Sequence, residues 1–284
     1  MQIITHIAPL RAALAPLRTL GNRIALVPTM GNLHAGHLEL VKEARRQADI
    51  VVCSIFVNPM QFGAHEDLDA YPRTLQQDTA KLLAEGCDFL FTPTPTEIYP
   101  LGHQEHTVVS VPGLSGRHCG ASRPGHFDGV ATVVSKLFHI VQPQTAVFGL
   151  KDYQQLMVIR KMVADLCMPI VLIGVATQRE ESGLALSSRN GYLNADEKIR
   201  AATLNQSLRL AASAIQRNTP MLQVEQQALQ QLRDAGFTPD YFNICHAQTL
   251  SPATENDADL VILAAAWMGK TRLIDNLSLQ RRIA

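Results

Sequence analysis

The segment Ile50-Val51-Val52-Cys53-Ser54-Ile55-Phe56-Val57 constrains the fold more than any other. It is rich in β-branched residues and shows no apolar–polar alternation, so both of its faces must be covered, as in a parallel sheet packed between helices. Its surroundings repeat the pattern. Ile24-Ala25-Leu26-Val27-Pro28 is a short apolar run followed by helical sequence from Gly36 to Gln47. Thr74 to Glu85 has helical amphipathicity and stops at Gly86, a residue suited to a C-cap. Asp88-Phe89-Leu90-Phe91 reads as a strand, Gly129 to Val141 as a helix, and Thr145-Ala146-Val147-Phe148 as a strand. Tyr153 to Leu166 reads as a helix, and Ile170 to Val175 as a strand. Strands alternating with single helices imply right-handed βαβ crossovers and an α/β, doubly wound parallel sheet of Rossmann-like type. Ligands of such sheets bind beyond the carboxyl ends of the strands, so chemistry is expected just after each strand.

The polar stretch Gln178-Arg179-Glu180-Glu181-Ser182-Gly183 marks a change of pattern. Beyond it Ala195 to Gln216 and Met221 to Ala235 read as helices. Tyr241 to His246, Asp259 to Trp267 and Thr271 to Leu277 read as strands. The expected division is residues 1–176 as the sheet domain and residues 177–284 as a smaller α+β C-terminal domain.

Composition excludes several classes. Acidic and basic residues balance at 25 each, which disfavours a binder of nucleic acid or anionic membrane, since both need a basic surface. No apolar run approaches the ~18 residues of a membrane span, and the N-terminal segment lacks the pattern of a secretory signal. The five cysteines are scattered without a C-x-x-C pair, which predicts reduced thiols and a cytoplasmic protein. His103-Gln104-Glu105-His106 and His118 form no complete ligand set, so no dedicated metal site is expected.

Five segments carry candidate chemistry. Pro28-Thr29-Met30-Gly31-Asn32-Leu33-His34-Ala35-Gly36-His37 joins a strand to a helix. Its glycines allow tight turning and close approach. The helix supplies free N–H groups and its positive dipole end to an anion. His34 and His37, three apart, face the same way and suit phosphate oxygens. Asn58-Pro59-Met60-Gln61 forms a turn that presents the neutral amide of Gln61. Gly149-Leu150-Lys151-Asp152-Tyr153-Gln154-Gln155 combines a glycine with a point cation suited to phosphate. Leu186-Ser187-Ser188-Arg189 offers two hydroxyls and a guanidinium to an anion. Ser122-Arg123-Pro124-Gly125-His126-Phe127 is a loop carrying a cation and an imidazole.

Together with Tyr71-Pro72-Arg73-Thr74, these segments resemble the pantothenate synthetases, or pantoate–β-alanine ligases, over most of the chain. The His-x-Gly-His element alone is shared with cytidylyltransferases and class I aminoacyl-tRNA synthetases, which keeps a nucleotidyltransferase acting on another small substrate as the alternative. The resemblance implies ATP-dependent formation of a pantoyl adenylate with release of pyrophosphate. Attack by the amine of β-alanine then gives pantothenate and AMP. It implies Mg²⁺ accompanying ATP, a small C-terminal lid, and a homodimer.

Residue roles follow from the matched motifs. His37 and His34 with Lys151 would be catalytic. Met30, Gly31, Asn32, Leu33, His34, Ala35, Gly36 and His37 would bind ATP, as would Gly149, Leu150, Lys151, Asp152, Gln178, Leu186, Ser187, Ser188 and Arg189. Gln61 and Gln155 would hold pantoate, with Gln61 also near β-alanine. Arg123, His126, Asn58 and Tyr71 rank second. Neutral amides suit pantoate because a strong cation beside its carboxylate would over-stabilise the ground state before attack on phosphorus. The chain departs from the commoner family pattern at Leu150, where a polar residue is frequent, at Gln178, where an apolar one is, and at Leu186, where methionine is.

Overall fold

A computed structural model describes residues 1–63, 66, 68–102 and 105–281. The elements in order are β1 (Gln2–Ile4), α1 (Ile7–Thr19), β2 (Ile24–Thr29), α2 (Ala35–Gln47), β3 (Ile50–Ile55), α3 (Leu75–Ala84) and β4 (Phe89–Phe91). Next come α4 (Pro95–Ile98), α5 (Cys119–Ser122), α6 (His126–Val141), β5 (Thr145–Gly149), α7 (Tyr153–Asp165) and β6 (Val171–Val175). The remainder is α8 (Ala195–Ala201), α9 (Thr203–Gln216), α10 (Met221–Asp234), β7 (Thr238–His246), β8 (Asp259–Met268) and β9 (Thr271–Gln280).

The first six strands form one parallel sheet in the order β1-β4-β3-β2-β5-β6. The winding direction reverses between β2 and β5. These two strands pair only at Ala25–Thr145 and Leu26–Ala146, whereas β2 stays paired with β3 as far as Thr29–Ile55. Pro28 has no N–H to extend a ladder, and past Leu26 the pair separates. A crevice therefore opens at the carboxyl ends of β2 and β5, the switch point where doubly wound sheets take ligands. As the unbroken apolar runs require, β2 and β3 are buried along nearly their whole length.

Sequence and structure differ in several places: β7 starts at Thr238 rather than Tyr241, and β9 runs past Leu277 to Gln280. The run Ile24–Pro28 is the second strand, because β1 precedes it at the far edge; β1 is only three residues long with two exposed, too short and too open to show periodicity. Helix α6 begins at His126, one turn before the expected Gly129. The stretch Ala195 to Gln216 is two helices that meet at Ala202, whose φ of −60° and ψ of −24° stay helical, so the apolar period runs through the break.

The last three strands form an antiparallel sheet, β7-β8-β9. Strand β8 is buried on both faces. Leu260, Ile262, Ala264 and Ala266 pack with α9 and α10 residues such as Leu208 and Leu232, while Val261 and Leu263 join the core of the first sheet beside Phe148 and Leu156. The second sheet is thus clamped between its own helices and the first unit.

Candidate active site

Residues from both units line a cleft of about 1100 Å³ at the switch point, roughly the upper end of ordinary ligand sites. The turn after β2 forms one wall. Gly31 and Asn32 both adopt positive φ, at 85° and 50°. This doubly left-handed turn is held from behind by Asp78 of α3, which is wholly buried. The Asp78 carboxylate accepts the Asn32 and Leu33 amides, each at 2.8 Å, and the Thr74 hydroxyl at 3.0 Å. Lys81, one turn further along α3, donates to the Leu33 carbonyl at 2.6 Å.

The paired histidines follow at the N-terminus of α2. The Gly36 amide donates to His34 Nδ1 at 3.2 Å, and the His34 amide donates to His37 Nδ1 at 3.3 Å. Each ring uses Nδ1 as an acceptor, so each neutral imidazole carries its proton on Nε2 and is free to donate there. The ring centroids lie 4.1 Å apart. Burial, then the Lys151 charge, lowers the His34 pKa to about 4; burial, then His34 itself, lowers that of His37 to about 3. The two rings are therefore neutral donors at pH 7.

The opposite wall is the turn after β5. Gly149, Lys151 and Asp152 border the cleft, and Asp152 occupies the N-cap position of α7 without a capping hydrogen bond. Gln155 faces the cleft, whereas its neighbour Gln154 is buried and holds the Cys119 amide and the Leu114 and Arg117 carbonyls. Leu186, Ser187, Ser188 and Arg189 close the site from the second unit. The Ser188 hydroxyl donates to the Asn32 carbonyl at 3.2 Å, joining this loop to the first turn. Gln178 also lines the cleft, beside Gly36, where an added Cβ would lie 3.7 Å from that of Gln178.

Gln61 is oriented by a relay. Tyr99 donates to Asn58 Oδ1 at 2.8 Å, and Asn58 Nδ2 donates to Gln61 Oε1 at 3.2 Å and to the Gly129 carbonyl at 3.1 Å. This leaves the Gln61 NH₂ turned to Met30 Sδ, 3.0 Å away in the cleft. A Cβ at Gly129 would collide with the Met60 carbonyl, so only glycine lets α6 approach the Gln61 turn this closely. Arg123 donates to the Gln61 carbonyl at 3.3 Å and to His126 Nε2 at 3.1 Å, and His126 Nδ1–H donates to the same carbonyl at 2.8 Å. Burial, then Arg123, lowers the His126 pKa to about 4. Arg123 also forms a two-point ion pair with Glu66 (Nε–Oε1 2.6 Å), so its charge is already matched.

Not every expected residue borders the cleft. Gly31, Asn32, Leu33 and Ala35 are not on its wall; the Asn32 and Leu33 amides point to Asp78 instead. Leu150 packs against β6, where an added Cβ on Gly174 would meet it at 2.9 Å, so an apolar residue suits the position. Tyr71 does line the cleft. His118 docks the second sheet, bonding to the Leu250 carbonyl and to Asn243, both at 2.9 Å. Of the His103-to-His106 group, His103 and Gln104 lie outside the described residues. Asp78, Lys81, Tyr99, Asp275 and Asn276 also support the cleft, though none lies in a motif that the sequence singles out. Asp78 had a signal: it precedes the buried Leu82 by four residues on the apolar stripe of α3.

Comparison with known proteins agrees with this geometry. A family model described as pantoate-beta-alanine ligase matches residues 2–278. The chain belongs to the pantoate–β-alanine ligase family. A pantothenate synthetase from Shewanella sp. (strain ANA-3) is 59% identical over 276 residues, covering 97% of this chain and 98% of the relative. The crystal structure of pantothenate synthetase from Thermus thermophilus superimposes with a TM-score of 0.92 at 45% identity, covering 98% of this chain and 99% of that one. A pantoate-beta-alanine ligase from Francisella tularensis, crystallised with beta-gamma ATP and beta-alanine, gives a TM-score of 0.83 at 34% identity, covering 98% and 97% of the two chains. The fold is that of pantothenate synthetases, and the chain is an ATP-dependent ligase forming pantothenate from pantoate and β-alanine.

Proposed function

We propose that the cleft runs this ligation in two steps. A pantoate carboxylate oxygen attacks the α-phosphorus of ATP, and the bond to pyrophosphate breaks. The β-alanine nitrogen then attacks the acyl carbon of the adenylate, loses a proton, and AMP departs. The carrying observation is convergence: the His34–His37 turn, the Lys151 turn, the Ser187–Arg189 loop and the Gln61 amide meet at one switch point.

In this reading the polyphosphate lies across the N-terminus of α2 and takes the Nε2–H donors of His34 and His37. Neutral donors fixed by backbone amides stabilise charge developing at the phosphates without reorganising. Lys151, Ser187, Ser188 and Arg189 supply the remaining positive field, and Gly149, Asp152, Gln178 and Leu186 flank the nucleoside. Gln61 and Gln155 hold pantoate, the Gln61 NH₂ toward an oxygen, and by the family resemblance Gln61 also borders the β-alanine site. ATP enters as its Mg²⁺ complex; among the described residues no cluster of three His, Cys, Asp or Glu is set to hold a metal, so the phosphates themselves would carry the ion. Residues 177–284 act as the unit that shields the adenylate from water.

The resemblance also supports a homodimer, tested by a solution mass of twice the chain's 31.1 kDa. The free thiols of Cys53, Cys87, Cys119, Cys167 and Cys245 support a reducing, cytoplasmic setting, and among the described residues no helix is long and apolar enough to cross a membrane. The functional test is AMP release. It should require pantoate and β-alanine together, and pyrophosphate should appear in a single turnover with pantoate alone. AMP formation independent of either substrate would overturn the reading.

A further inference from the structure

Two consecutive residues of β9 reach both sides of the cleft. Asp275 stands opposite Ala264 and Asn276 opposite Leu263 in the β8–β9 register, so their side chains leave the sheet on opposite faces. Both are buried. The Asp275 carboxylate takes two N–H groups of Arg179 at 2.6 and 2.9 Å, and Arg179 also donates to the Gly183 carbonyl at 3.1 Å. That pair holds the hairpin closed by the Arg179–Ala185 bridge, which leads directly into Leu186 and the Ser187–Arg189 loop. The Asn276 Nδ2 group donates to the Leu150 carbonyl at 2.9 Å and to the Lys151 carbonyl at 2.8 Å. The single helical turn Leu150–Asp152 has no side-chain cap of its own. Its two outward carbonyls are met from the second sheet.

We propose that Asn276 is a positioning residue that sets Lys151 toward the phosphates. With Asp275 it fixes the spacing between the Lys151 turn and the Ser187–Arg189 loop. The inference rests on the proposed ATP-binding role of those segments. The donor, not the shape, is what matters: both N–H groups point at carbonyl oxygens, so an isosteric acceptor in their place would repel the turn it now holds.

Three variants separate this from a packing role. Asn276→Ala removes both bonds, and Asn276→Asp keeps the shape but faces two carbonyls with a carboxylate. Asn276→Ser is small and keeps one donor. We expect the ATP KM to rise about tenfold for Asn276→Ala and further for Asn276→Asp, with a smaller rise for Asn276→Ser and the pantoate KM within about twofold. In a Lys151→Ala background, Asn276→Ala should add little, because both changes remove the same placed charge. A milder effect for Asp than for Ala, equal shifts in both KM values, or additivity with Lys151→Ala would overturn the proposal. If Asn276→Asp does not fold, the Ser variant and the double-mutant cycle decide. An unaltered chain that makes no AMP would instead overturn the functional reading, and this inference with it.

Discussion

Replacing Asp78 by asparagine tests the idea that a buried carboxylate builds the turn that leads into His34 and His37. The wild-type side chain is wholly buried and offers two oxygens to three donors, the Asn32 and Leu33 amides at 2.8 Å and the Thr74 hydroxyl at 3.0 Å. Asparagine keeps one oxygen and turns an NH₂ toward at least one of those amides. A hydrogen bond to a charged group contributes about 1.5–3 kcal/mol, and a donor left unsatisfied costs about 1–3 kcal/mol. The two overlap, which places the loss at roughly 2–4 kcal/mol. Thr74 can rotate to accept, so the amides decide the outcome. Urea unfolding followed by circular dichroism should show the midpoint falling with an unchanged slope. Because the distorted turn carries His34 and His37, the ATP KM should rise while that of β-alanine holds. Stability within about 0.5 kcal/mol of the parent, the range of an inert surface change, would refute the reasoning.

Other consequences are as direct. His37→Ala should slow single-turnover adenylation by about 10²-fold, the scale of one lost oxyanion donor, while His37→Gln, which keeps an N–H, should lose less; unchanged adenylation would remove His37 from the mechanism. Tyr99→Phe leaves Asn58 Oδ1 with only the Met60 amide at 3.3 Å, so the Gln61 amide is less firmly held and the pantoate KM should rise by about three- to tenfold with the ATP KM unchanged; parallel changes in both would argue against the relay. The folded-state pKa values of His34, His37 and His126 lie at about 4, 3 and 4, all depressed below the ordinary histidine value of 6.5. Between the ordinary value and these depressed ones the unfolded chain binds protons that the folded chain does not, so this contribution to stability is complete above pH 6.5 and declines as pH falls toward 4. Urea midpoints at about pH 7.5 and about pH 5 should differ in that direction, and the difference should shrink in His126→Gln; a higher midpoint at the lower pH would contradict the burial of neutral rings.

Much of this arrangement is legible in the chain because it is local. The β-branched run at Ile50–Ile55 encodes a doubly covered strand, and the strand-to-helix passage at Pro28–His37 encodes a glycine turn with imidazoles on the first helical face. Gln61 and Lys151 are legible for the same reason, since each follows a strand end. The orientation of the Gln61 amide was not, because it depends on Tyr99 and Asn58, which meet across 41 residues of sequence. Arg123 read as a cation in a loop, and its partner Glu66, 57 residues away, was not legible. Strand β1 and the break at Ala202 escaped because the first is too short for periodicity and the second does not interrupt it.

Local runs in the chain encode the parallel sheet and its strand ends, because burial and backbone conformation repeat over a few residues, while the motifs after those ends carry the resemblance to the ligase family. Only tertiary packing settles that β2 and β5 part at the switch point, that Asp78 stands behind the turn, and that Asp275 and Asn276 hold Arg179 and the Leu150–Asp152 turn. The Asn276–Leu150 bond spans 126 residues. Such a contact is made when the second sheet packs on the first, and no local period in the chain records it.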